Sequence, residues 1–429
     1  MPKHHARALA LALSLAALAT APSPAGASSD YPQVATREDG VAHFAWTRND
    51  GATNLIQGRS RAADGTLGEA LYVSSPVAGA SAPRVAAGAG GAALHTWQSN
   101  TPGGATIKLR RRAPDGSFSA TQTISGPAAS ADHQIAVDPD GDAVIVWSRI
   151  TEGKFVVEAR RRAADGTLSP IKRLSAAAPT YSAVAPDVAV DAAGNAVVTW
   201  TVMGNPYYVQ VRRRAVDGTL SATQNVTSGT RADSAKVGVD AAGNAVIAFR
   251  RMAGANTVTQ VRRRSAAGAL SSITEVGEPH PAATMPEVAV SPDAGAVVAW
   301  TESIGGETRV FAARRPPGGS WSEREPVSLA GGAADELEVG IDTDGDAVFA
   351  WRRTTPAGAF VQIRRRTAAG VLSPTDDLSP ADGEVSRLAL AVEPGGGATA
   401  AWRNGDTQRA EARRRTQSGE LGPLNILSD

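Results

Sequence analysis

Charged residues recur at two fixed places in this chain and could together bind a polar ligand. The basic set follows an aromatic marker residue and comprises Arg48, Arg149, Arg250, Arg352 and Arg403. The acidic set precedes an apolar run and comprises Asp187, Glu287 and Glu338. If the loops that carry both sets share one face of the fold, guanidinium and carboxylate groups would form a ring of mixed charge suited to a glycan or a peptide. An ordinary solvated rim explains the same residues, and both interpretations stay open.

A second set of arginines lies inside short runs of two or three arginines. In an extended strand, Val209, Val211 and Arg213 share one face because side chains alternate. The middle arginine of a run therefore falls on the apolar face, where it would pair with a turn carboxylate or stack on an aromatic ring. The set is Arg111, Arg161, Arg213, Arg263, Arg314, Arg365 and Arg414. Its recurrence predicts a structural tie in each repeat, with a polyanion-binding belt as the alternative.

The sequence predicts no catalytic residue, metal or cofactor. Cysteine is absent, which excludes thiolate ligands, disulfides and thiol catalysis. The histidines outside the N-terminal segment stand at non-equivalent positions without metal-ligand spacing, and we expect them to be incidental; they are His43, His95, His133 and His280. The acidic segments 138–142 and 342–346 place oxygens at alternate positions, as calcium loops do. The other copies lack this set, which favours simple turn formation.

The elements that must position these residues form eight copies of one unit. The aromatic marker recurs at intervals of 49 to 53 residues, as Trp46, Trp97, Trp147, Trp200, Phe249, Trp300, Trp351 and Trp402. In the copy over 186–228, four short β-type runs end at turn signals; they are 188–191, 196–201, 207–214 and 220–226. A period of about 50 residues with four strands is typical of β-propeller blades.

One position orients the strands within each blade. The residue two before the first turn is always small: Ala35, Ala86, Ala136, Ala189, Gly238, Ala289, Gly340 and Ala391. Blades crowd together near the axis, so this run is predicted to be the innermost strand. The fourth run carries Pro170, Pro326 and Pro374, which suits an outer edge.

The predicted fold is therefore all-β, a single eight-bladed β-propeller of four-stranded antiparallel blades. A seven-bladed ring with an extra unit, or an open stack, is the alternative. The predicted blades are 31–80, 81–131, 132–184, 185–233, 234–284, 285–335, 336–385 and 386–429. Because each copy starts with its first strand and ends with its fourth, we expect closure by face-to-face packing of the first and last blades.

The N-terminal segment 1–27 is predicted to be a signal peptide, which indicates a secreted protein. Lys3 and Arg7 precede the apolar run 8–20, and small residues allow cleavage after about Ala27. The run is shorter than the roughly 20 apolar residues that a membrane span needs. The formal net charge is +1, and loss of Lys3 and Arg7 leaves −1. This balance disfavours nucleic-acid and anionic-membrane partners. A monomer is expected.

The turn segments also carry a resemblance. Segments 137–142 and 190–195 resemble the strand–turn–strand core of NHL-type repeats, and the chain is similar to secreted bacterial β-propeller repeat proteins. The resemblance implies a fold and leaves function open. The sialidase Asp box has its nearest match at 291–295, but Trp300 stands two residues too late. Ala189, Asp191 and Trp200 are similar in type to the docking repeat of quinoprotein dehydrogenases, with different spacing.

These observations predict an exported, non-enzymatic binding or scaffold module for an extracellular glycan, peptide or protein. The alternatives are a glycan hydrolase or lyase with carboxylates from different blades, and a multivalent lectin. Uniform spacing between the aromatic markers disfavours the long insertions that enzymes on this fold carry. Specificity is expected in loops that the copies do not share, namely 203–207 and 229–233.

Overall fold

The described residues of a computed structural model form eight sheets, each built from four consecutive antiparallel strands. The structure describes residues 28–75, 79–101, 104–127, 130–176, 180–229, 231–281 and 285–428. Helical structure within these ranges is the short 3-10 segment Ala89–Gly91. None of the described helices has the length and apolar character needed to cross a membrane.

Each sheet is one blade, and its strands run outward from the axis in chain order. The first strands are Ser28–Thr36 (β1), Ala80–Ala87 (β5), Ser130–Val137 (β9), Ala183–Val190 (β13), Ala232–Val239 (β17), Glu287–Val290 (β21), Ala333–Ile341 (β25) and Val385–Val392 (β29). The second strands are Ala42–Asn49 (β2), Ala93–Thr101 (β6), Ala143–Thr151 (β10), Ala196–Val202 (β14), Ala245–Ala253 (β18), Ala296–Ile304 (β22), Ala347–Thr355 (β26) and Ala398–Asn404 (β30). The third strands are Asn54–Arg61 (β3), Gly104–Arg112 (β7), Lys154–Arg162 (β11), Tyr208–Arg214 (β15), Asn256–Arg264 (β19), Glu307–Arg315 (β23), Gly358–Arg366 (β27) and Arg409–Arg415 (β31). The fourth strands are Leu71–Tyr72 (β4), Gln122–Thr123 (β8), Lys172–Arg173 (β12), Gln224–Asn225 (β16), Thr274–Glu275 (β20), Glu325–Pro326 (β24), Asp376–Asp377 (β28) and Asn425–Ile426 (β32).

The ring is closed. First strands of successive blades contact each other all the way round, and β1 of blade one also packs against β29 and β30 of blade eight. A shared apolar cluster joins these two blades through Phe44, Trp46, Ala401, Ala410 and Leu427. The predicted eight-bladed propeller is confirmed, and the seven-bladed alternative is wrong. Neither terminal blade borrows a strand, so closure depends on this packing.

The first strand carries a small residue because neighbouring blades crowd together near the axis, as predicted. A Cβ built on Gly238 would lie 2.5 Å from Cγ2 of Val290 in the next blade. The inner strands therefore approach too closely for a larger side chain at this position. The second strand is buried on both faces, as in β14, and the indole N–H of Trp200 donates to Gln210 Oε1 on β15 at 3.1 Å.

The outer strand is shorter than the predicted run 220–226, since β16 holds only residues 224–225. Beyond it, Thr227 Oγ1 accepts the Val209 N–H at 3.0 Å. At the other end, Ser221 Oγ accepts the Arg213 N–H at 3.0 Å, and Leu220 forms an isolated bridge with Arg214. Hydroxyls therefore take backbone N–H groups of the third strand on both sides of the short outer strand. The inner strands also begin slightly away from the predicted blade boundaries, for example at Ala183 and at Ala333.

The turn between the first and second strands explains the repeated glycine. Gly194 has φ +77°, which L residues with a side chain rarely adopt. In the sixth blade the same conformation falls on Ala294, with φ 73°, and the neighbouring Gly295 does not adopt it. The glycine is therefore displaced by one residue in this blade, while the turn keeps its backbone conformation.

Candidate functional site

In seven of the eight blades the first arginine of the run ties two neighbouring blades together, whereas blade six carries Ala313 at this position. Arg212 donates from Nε to the Ser221 carbonyl at 2.7 Å and from Nη1 to the Leu174 carbonyl of the preceding blade at 2.9 Å. The same pair of bonds is made by Arg110, Arg160, Arg262, Arg364 and Arg413. Arg59 reaches the Ile426 and Leu427 carbonyls of blade eight, each at 3.1 Å, and so bridges the point of closure. We call these residues the arginine belt.

The third arginine of each run is the most buried. Arg162 donates from Nε to Gln122 Oε1 of the preceding blade at 2.7 Å and from Nη1 to the Ala163 carbonyl at 3.1 Å. Arg264 contacts Gln224 in the same way at 2.8 Å. These positions also bridge blades, although they were not singled out from the sequence.

The middle arginines, predicted to be structural ties, are half-buried. Arg161 pairs with Asp142 and Arg365 with Asp346, both on the first turn of the same blade. Arg414 donates from Nε to Glu393 at 2.7 Å. The remaining members of this set, for which no such carboxylate pair is described, are Arg111, Arg213, Arg263 and Arg314. The structural role of the whole set stays a prediction.

Four of the five arginines proposed for the loop face bond residues of their own blades. Arg149 donates to both oxygens of Glu158, at 2.9 and 2.8 Å. Arg250 pairs with Asp233 at 2.9 Å and Arg352 with Asp335 at 2.6 Å. Arg403 bonds Gln408, and Arg48 is buried. The structure does not bring these arginines into one ring with Asp187, Glu287 and Glu338.

The three predicted acids do come together, inside the central channel. They lie in the inner strands β13, β21 and β25, not in loops as predicted. Each stands two residues before the small position, where the eight copies carry Gln33, Arg84, Gln134, Asp187, Lys236, Glu287, Glu338 and Ala389. We call this set the channel ring. Sequence reasoning missed Arg84 and Lys236, although their register position identifies them.

Contacts link the members of the channel ring from blade to blade. Lys236 Nζ lies 2.9 Å from Glu287 Oε1, and Arg84 Nε donates to Gln134 Oε1 at 3.2 Å. Asp187 accepts the Val237 N–H of the next blade at 2.8 Å. Both cations of the ring therefore already have partners.

The channel perturbs the protonation of these groups. Burial, aided by the charge of Glu287, raises the pKa of Glu338 to about 8, with Lys236 and Arg84 opposing. Burial also raises the pKa of Asp187. The charge of Glu287 raises the pKa of Lys236 further above its ordinary value. Such perturbed groups in a concave site are typical of functional positions.

A cavity of about 370 Å³ opens at the channel mouth on the face of the loops that follow second and fourth strands. We call it the mouth cavity. We call its charged lining the floor; it includes the half-buried Arg84, Asp187 and Lys236 and the exposed Asp132. We call its apolar lining the rim; it includes Met203, Tyr207 and Met285. A neighbouring cavity of about 390 Å³ shares Met285 and is lined by Glu287, Glu336, Glu338 and Arg387.

A distortion of the inner strands supplies part of this lining. At a β-bulge in the first half of the strand, a residue other than glycine adopts positive φ, as in Asp132 (56°), Ser234 (56°) and Glu336 (47°). All three line one of the two cavities. Bulges re-aim side chains and positive φ is costly for such residues. The residue types at this position vary, so the sequence carried no signal for it.

Met203, Tyr207 and Met285 line the mouth cavity, and other residues of these scarce types lie in the same blades. Three of the four methionines and three of the five tyrosines lie in loops or strand ends of blades four to six: Met203, Met252, Met285, Tyr181, Tyr207 and Tyr208. Met203 is 42% exposed and Met285 is 59% exposed. The unshared loop 203–207, where specificity was predicted, thus forms part of this rim.

Three histidines are buried between blades one, two and three. His133 Nε2 lies 3.0 Å from Thr96 Oγ1, whereas both ring nitrogens of His43 and His95 lack a hydrogen-bond partner within the described residues. Burial lowers the pKa of His43 to about 4 and those of His95 and His133 to about 3. All three are therefore neutral at pH 7.

No group of three or more histidine or acidic side chains in the described part of the chain is placed to hold a metal ion. In the acidic segment 138–142, Asp142 pairs with Arg161 and accepts the Ala164 N–H at 2.7 Å. In 342–346, Asp342 Oδ1 accepts the N–H groups of Asp344 and Asp346 at 3.0 and 2.8 Å. These carboxylates thus accept backbone N–H groups of the turns or pair with an arginine of the run.

Comparison with known proteins shows the fold. No protein-family model and no curated protein matches this chain. The β-propeller domain of the trilobed protease from Pyrococcus furiosus is similar, with 9% identity, a TM-score of 0.49, and coverage of 83% of this chain and 97% of that one. A puromycin hydrolase is similar with 14% identity, a TM-score of 0.50, and coverage of 81% and 54%. The intramolecular trans-sialidase from Ruminococcus gnavus is similar with 11% identity, a TM-score of 0.41, and coverage of 81% and 93%.

Proposed function

We propose that this protein is an exported, non-enzymatic binding module whose single ligand site is the mouth cavity. The observation that carries the proposal is the coincidence of three features in one sector. They are a cavity of about 370 Å³, a charged floor of perturbed groups, and an apolar rim of exposed methionines. A concave site with a few polar groups and apolar walls is the usual form of a ligand pocket.

A single site agrees better with the geometry than the eight equivalent sites of a lectin. The cavity uses blades two to six unequally, because Arg84, Asp187 and Lys236 occupy one register position with three different chemistries. Identical sites would need the same side chains in each blade.

One observation favours the hydrolase or lyase alternative. Glu287 and Glu338 belong to adjacent blades, and burial raises the pKa of both, as an acid catalyst requires. Glu287, however, is held by Lys236 at 2.9 Å. We therefore interpret the pair as part of an ion-pair network that shapes a binding site.

Export is supported by the segment 1–27, which lies outside the described residues. Expression of the full chain in a bacterial host followed by N-terminal sequencing of the released protein tests it. We expect a new N-terminus at about residue 28. Retention of Met1 in a protein confined to the cytoplasm would overturn this part of the proposal.

The binding function is tested by screening the full chain against glycan and peptide arrays, with thermal shift and calorimetry on the hits. We expect one ligand per chain, no reaction products by mass spectrometry, and loss of binding in the double variant Met203→Ser, Met285→Ser. The matched control is Val371→Ser, which changes an exposed residue (65% exposed) in the turn after a third strand. Products would establish the enzyme alternative, and eight ligands per chain the lectin. Binding that survives in the double variant would place the site elsewhere.

A further inference from the structure

We infer that the ligand of the mouth cavity is a basic peptide segment, with a Lys or Arg side chain on the floor and an apolar neighbour on the rim. This inference rests on the proposed function and narrows it to one class of ligand. It is argued from the charge, the mixed lining and the aromatic surfaces of the mouth.

The charge of the mouth favours a cation. Seven carboxylates and three basic residues line the two neighbouring cavities; the acids are Asp132, Asp187, Asp233, Glu287, Asp335, Glu336 and Glu338. Asp233 and Asp335 are neutralised by arginines of their own blades. Glu338 carries little charge at pH 7, because burial raises its pKa to about 8. The four other acids outnumber the three basic residues by one, so the two cavities together keep a slight acidic excess, and complementary charge favours a basic partner.

The cations of the floor are already occupied. Arg84 Nε donates to Gln134, and its Nη1 donates to the Pro83 carbonyl at 3.1 Å. Lys236 pairs with Glu287. Asp132, by contrast, has no hydrogen-bond or ion-pair partner among the described residues, and it is exposed at the cavity. An incoming ammonium or guanidinium therefore finds an acceptor in Asp132, whereas the charge of Lys236 is already met by Glu287 and two N–H groups of Arg84 are taken by neutral acceptors.

The mixed lining of the cavity fits a side chain rather than a compact cation. The half-buried Asp187 supplies a carboxylate, and the exposed Met203 and Met285 supply apolar surface in the same cavity. Lys and Arg carry an apolar stem behind a charged head, so such a side chain matches both kinds of lining. Methionine side chains adapt to varied apolar surfaces, as peptide-binding sites often require.

The aromatic residues at this face are poorly placed to stack on sugars. The Arg231 guanidinium lies 4.7 Å from the centre of the Tyr207 ring and covers one face of it. Arg387 covers a face of Tyr31 at 4.2 Å. Both arrangements are cation–π contacts. A peptide needs no flat aromatic platform, which favours it over a glycan.

The test is fluorescence anisotropy of the full chain with three labelled nonapeptides. One alternates lysine and leucine, one lysine and serine, and one glutamate and leucine. We expect the lysine–leucine peptide to bind, the lysine–serine peptide to bind about tenfold more weakly because it lacks apolar contacts, and the glutamate–leucine peptide not to bind. Added salt should weaken binding because surface charges are screened.

Variants assign the binding to the floor and the rim. The double variant Asp132→Asn, Asp187→Asn should weaken the lysine–leucine peptide about tenfold or more, since two charge-assisted hydrogen bonds become neutral. Asparagine keeps the acceptor for the Val237 N–H and tolerates the positive φ of residue 132. The matched control is Asp165→Asn, Asp217→Asn, on exposed turns after third strands, with a change of less than about twofold.

Three outcomes would overturn the inference: equal binding of the glutamate–leucine peptide, equal binding of the lysine–serine peptide, or no difference between the two double variants. Failure of all three peptides together with a different array ligand that needs Met203 and Met285 would refute the basic peptide and leave the proposed function standing. Absence of any ligand would refute both.

Discussion

The arginine belt and the channel ring occupy equivalent positions in successive blades, yet they differ in how far the copies agree. The belt repeats one residue with one pair of contacts: Arg212 and Arg59 both bond a carbonyl of their own blade and a carbonyl of the neighbouring blade. The channel ring changes from Arg84 to Asp187 to Lys236 at a single register position. The position that keeps the same residue from blade to blade therefore serves packing, and the position whose residue changes lines the candidate site.

The physical reason lies in what each position faces. A belt arginine faces backbone carbonyls, which every blade offers regardless of its sequence. The channel ring faces the axis, where side chains from blades far apart in the chain share one space, and Arg84 lies within electrostatic reach of Glu338. Eight identical charges there would repel each other strongly. The ring must therefore be mixed, and its mixture can suit a ligand.

The largest expected effect concerns unrepeated residues that do not line the mouth cavity, although His133 lies between the lining residues Asp132 and Gln134. The unfolded chain protonates His43, His95 and His133 near pH 6.5, whereas the folded protein resists protonation down to about pH 4 or 3. Stability should therefore fall as the pH drops below 6.5, by about 4 kcal/mol at pH 5.5 for three such groups. Urea unfolding at pH 7.5 and 5.5 measures the change in the free energy of unfolding.

The variant His95→Gln is the control for this effect. It should be less stable at pH 7.5, because a buried amide replaces a packed ring, but it should lose less stability on acidification. Peptide affinity at pH 7.5 should not change. An unaltered pH dependence would show that His95 does not govern acid stability, and a loss of affinity would break the link between the mouth cavity and binding.

The next effect separates the point of closure from the other blade junctions. Arg59→Ala removes the bonds to the Ile426 and Leu427 carbonyls and should lower the free energy of unfolding by about 2–3 kcal/mol. Arg262→Ala removes the equivalent bond to Val226 and should cost about the same. Chemical denaturation of both variants gives the comparison. A negligible cost for Arg59→Ala alone would mean that closure does not contribute to stability.

A smaller effect on the free energy of unfolding distinguishes two of the arginines that lie in the middle of a run. Arg414 pairs with Glu393, so Arg414→Ala leaves a buried carboxylate unpaired and should cost about 2 kcal/mol. No carboxylate pairs with Arg213 among the described residues, so Arg213→Ala should cost about 1 kcal/mol. Both variants should keep full peptide affinity in the anisotropy assay. Equal stability with lost binding would support the polyanion-belt or ligand interpretation of these arginines instead.

The smallest expected effect concerns Glu338, a member of the channel ring that lines the cavity next to the mouth cavity. Burial raises the pKa of Glu338 to about 8, so this group gains its charge only as the pH rises through 8. Affinity for the lysine–leucine peptide should therefore increase about threefold between pH 7 and 9, because a screened charge at this range acts weakly. Glu338→Gln should abolish the increase and leave affinity at pH 7 nearly unchanged. A persisting increase in the variant would assign the titration to another group.

Much of the architecture could be predicted from the sequence because its causes are local. The glycine at 194 marks a turn that needs positive φ, and the small residue at 189 marks the strand that touches the next blade. The small residue recurs in all eight copies and the turn glycine in seven, which separates both signals from accident. The outer strand was overestimated because hydroxyls on both sides of it, Ser221 Oγ and Thr227 Oγ1, accept backbone N–H groups of the third strand. A serine or threonine makes the bond of Thr227 in seven of the eight blades, always 18 residues after its donor, so the sequence carried a signal that was not used.

The candidate site was predicted only in part. Asp187, Glu287 and Glu338 were identified, but the loop-face arginines pair within their own blades with residues such as Glu158 and Asp233. A strand residue can bond several neighbours, and sequence spacing does not say which one it takes.

The sequence by itself determined the repeat, the turns and the strand that lines the axis, because each depends on residues close together in the chain. Only the tertiary structure decided which side chains meet in the channel. Arg84 and Glu338 belong to blades two and seven, and closure of the ring is what brings them within reach of each other.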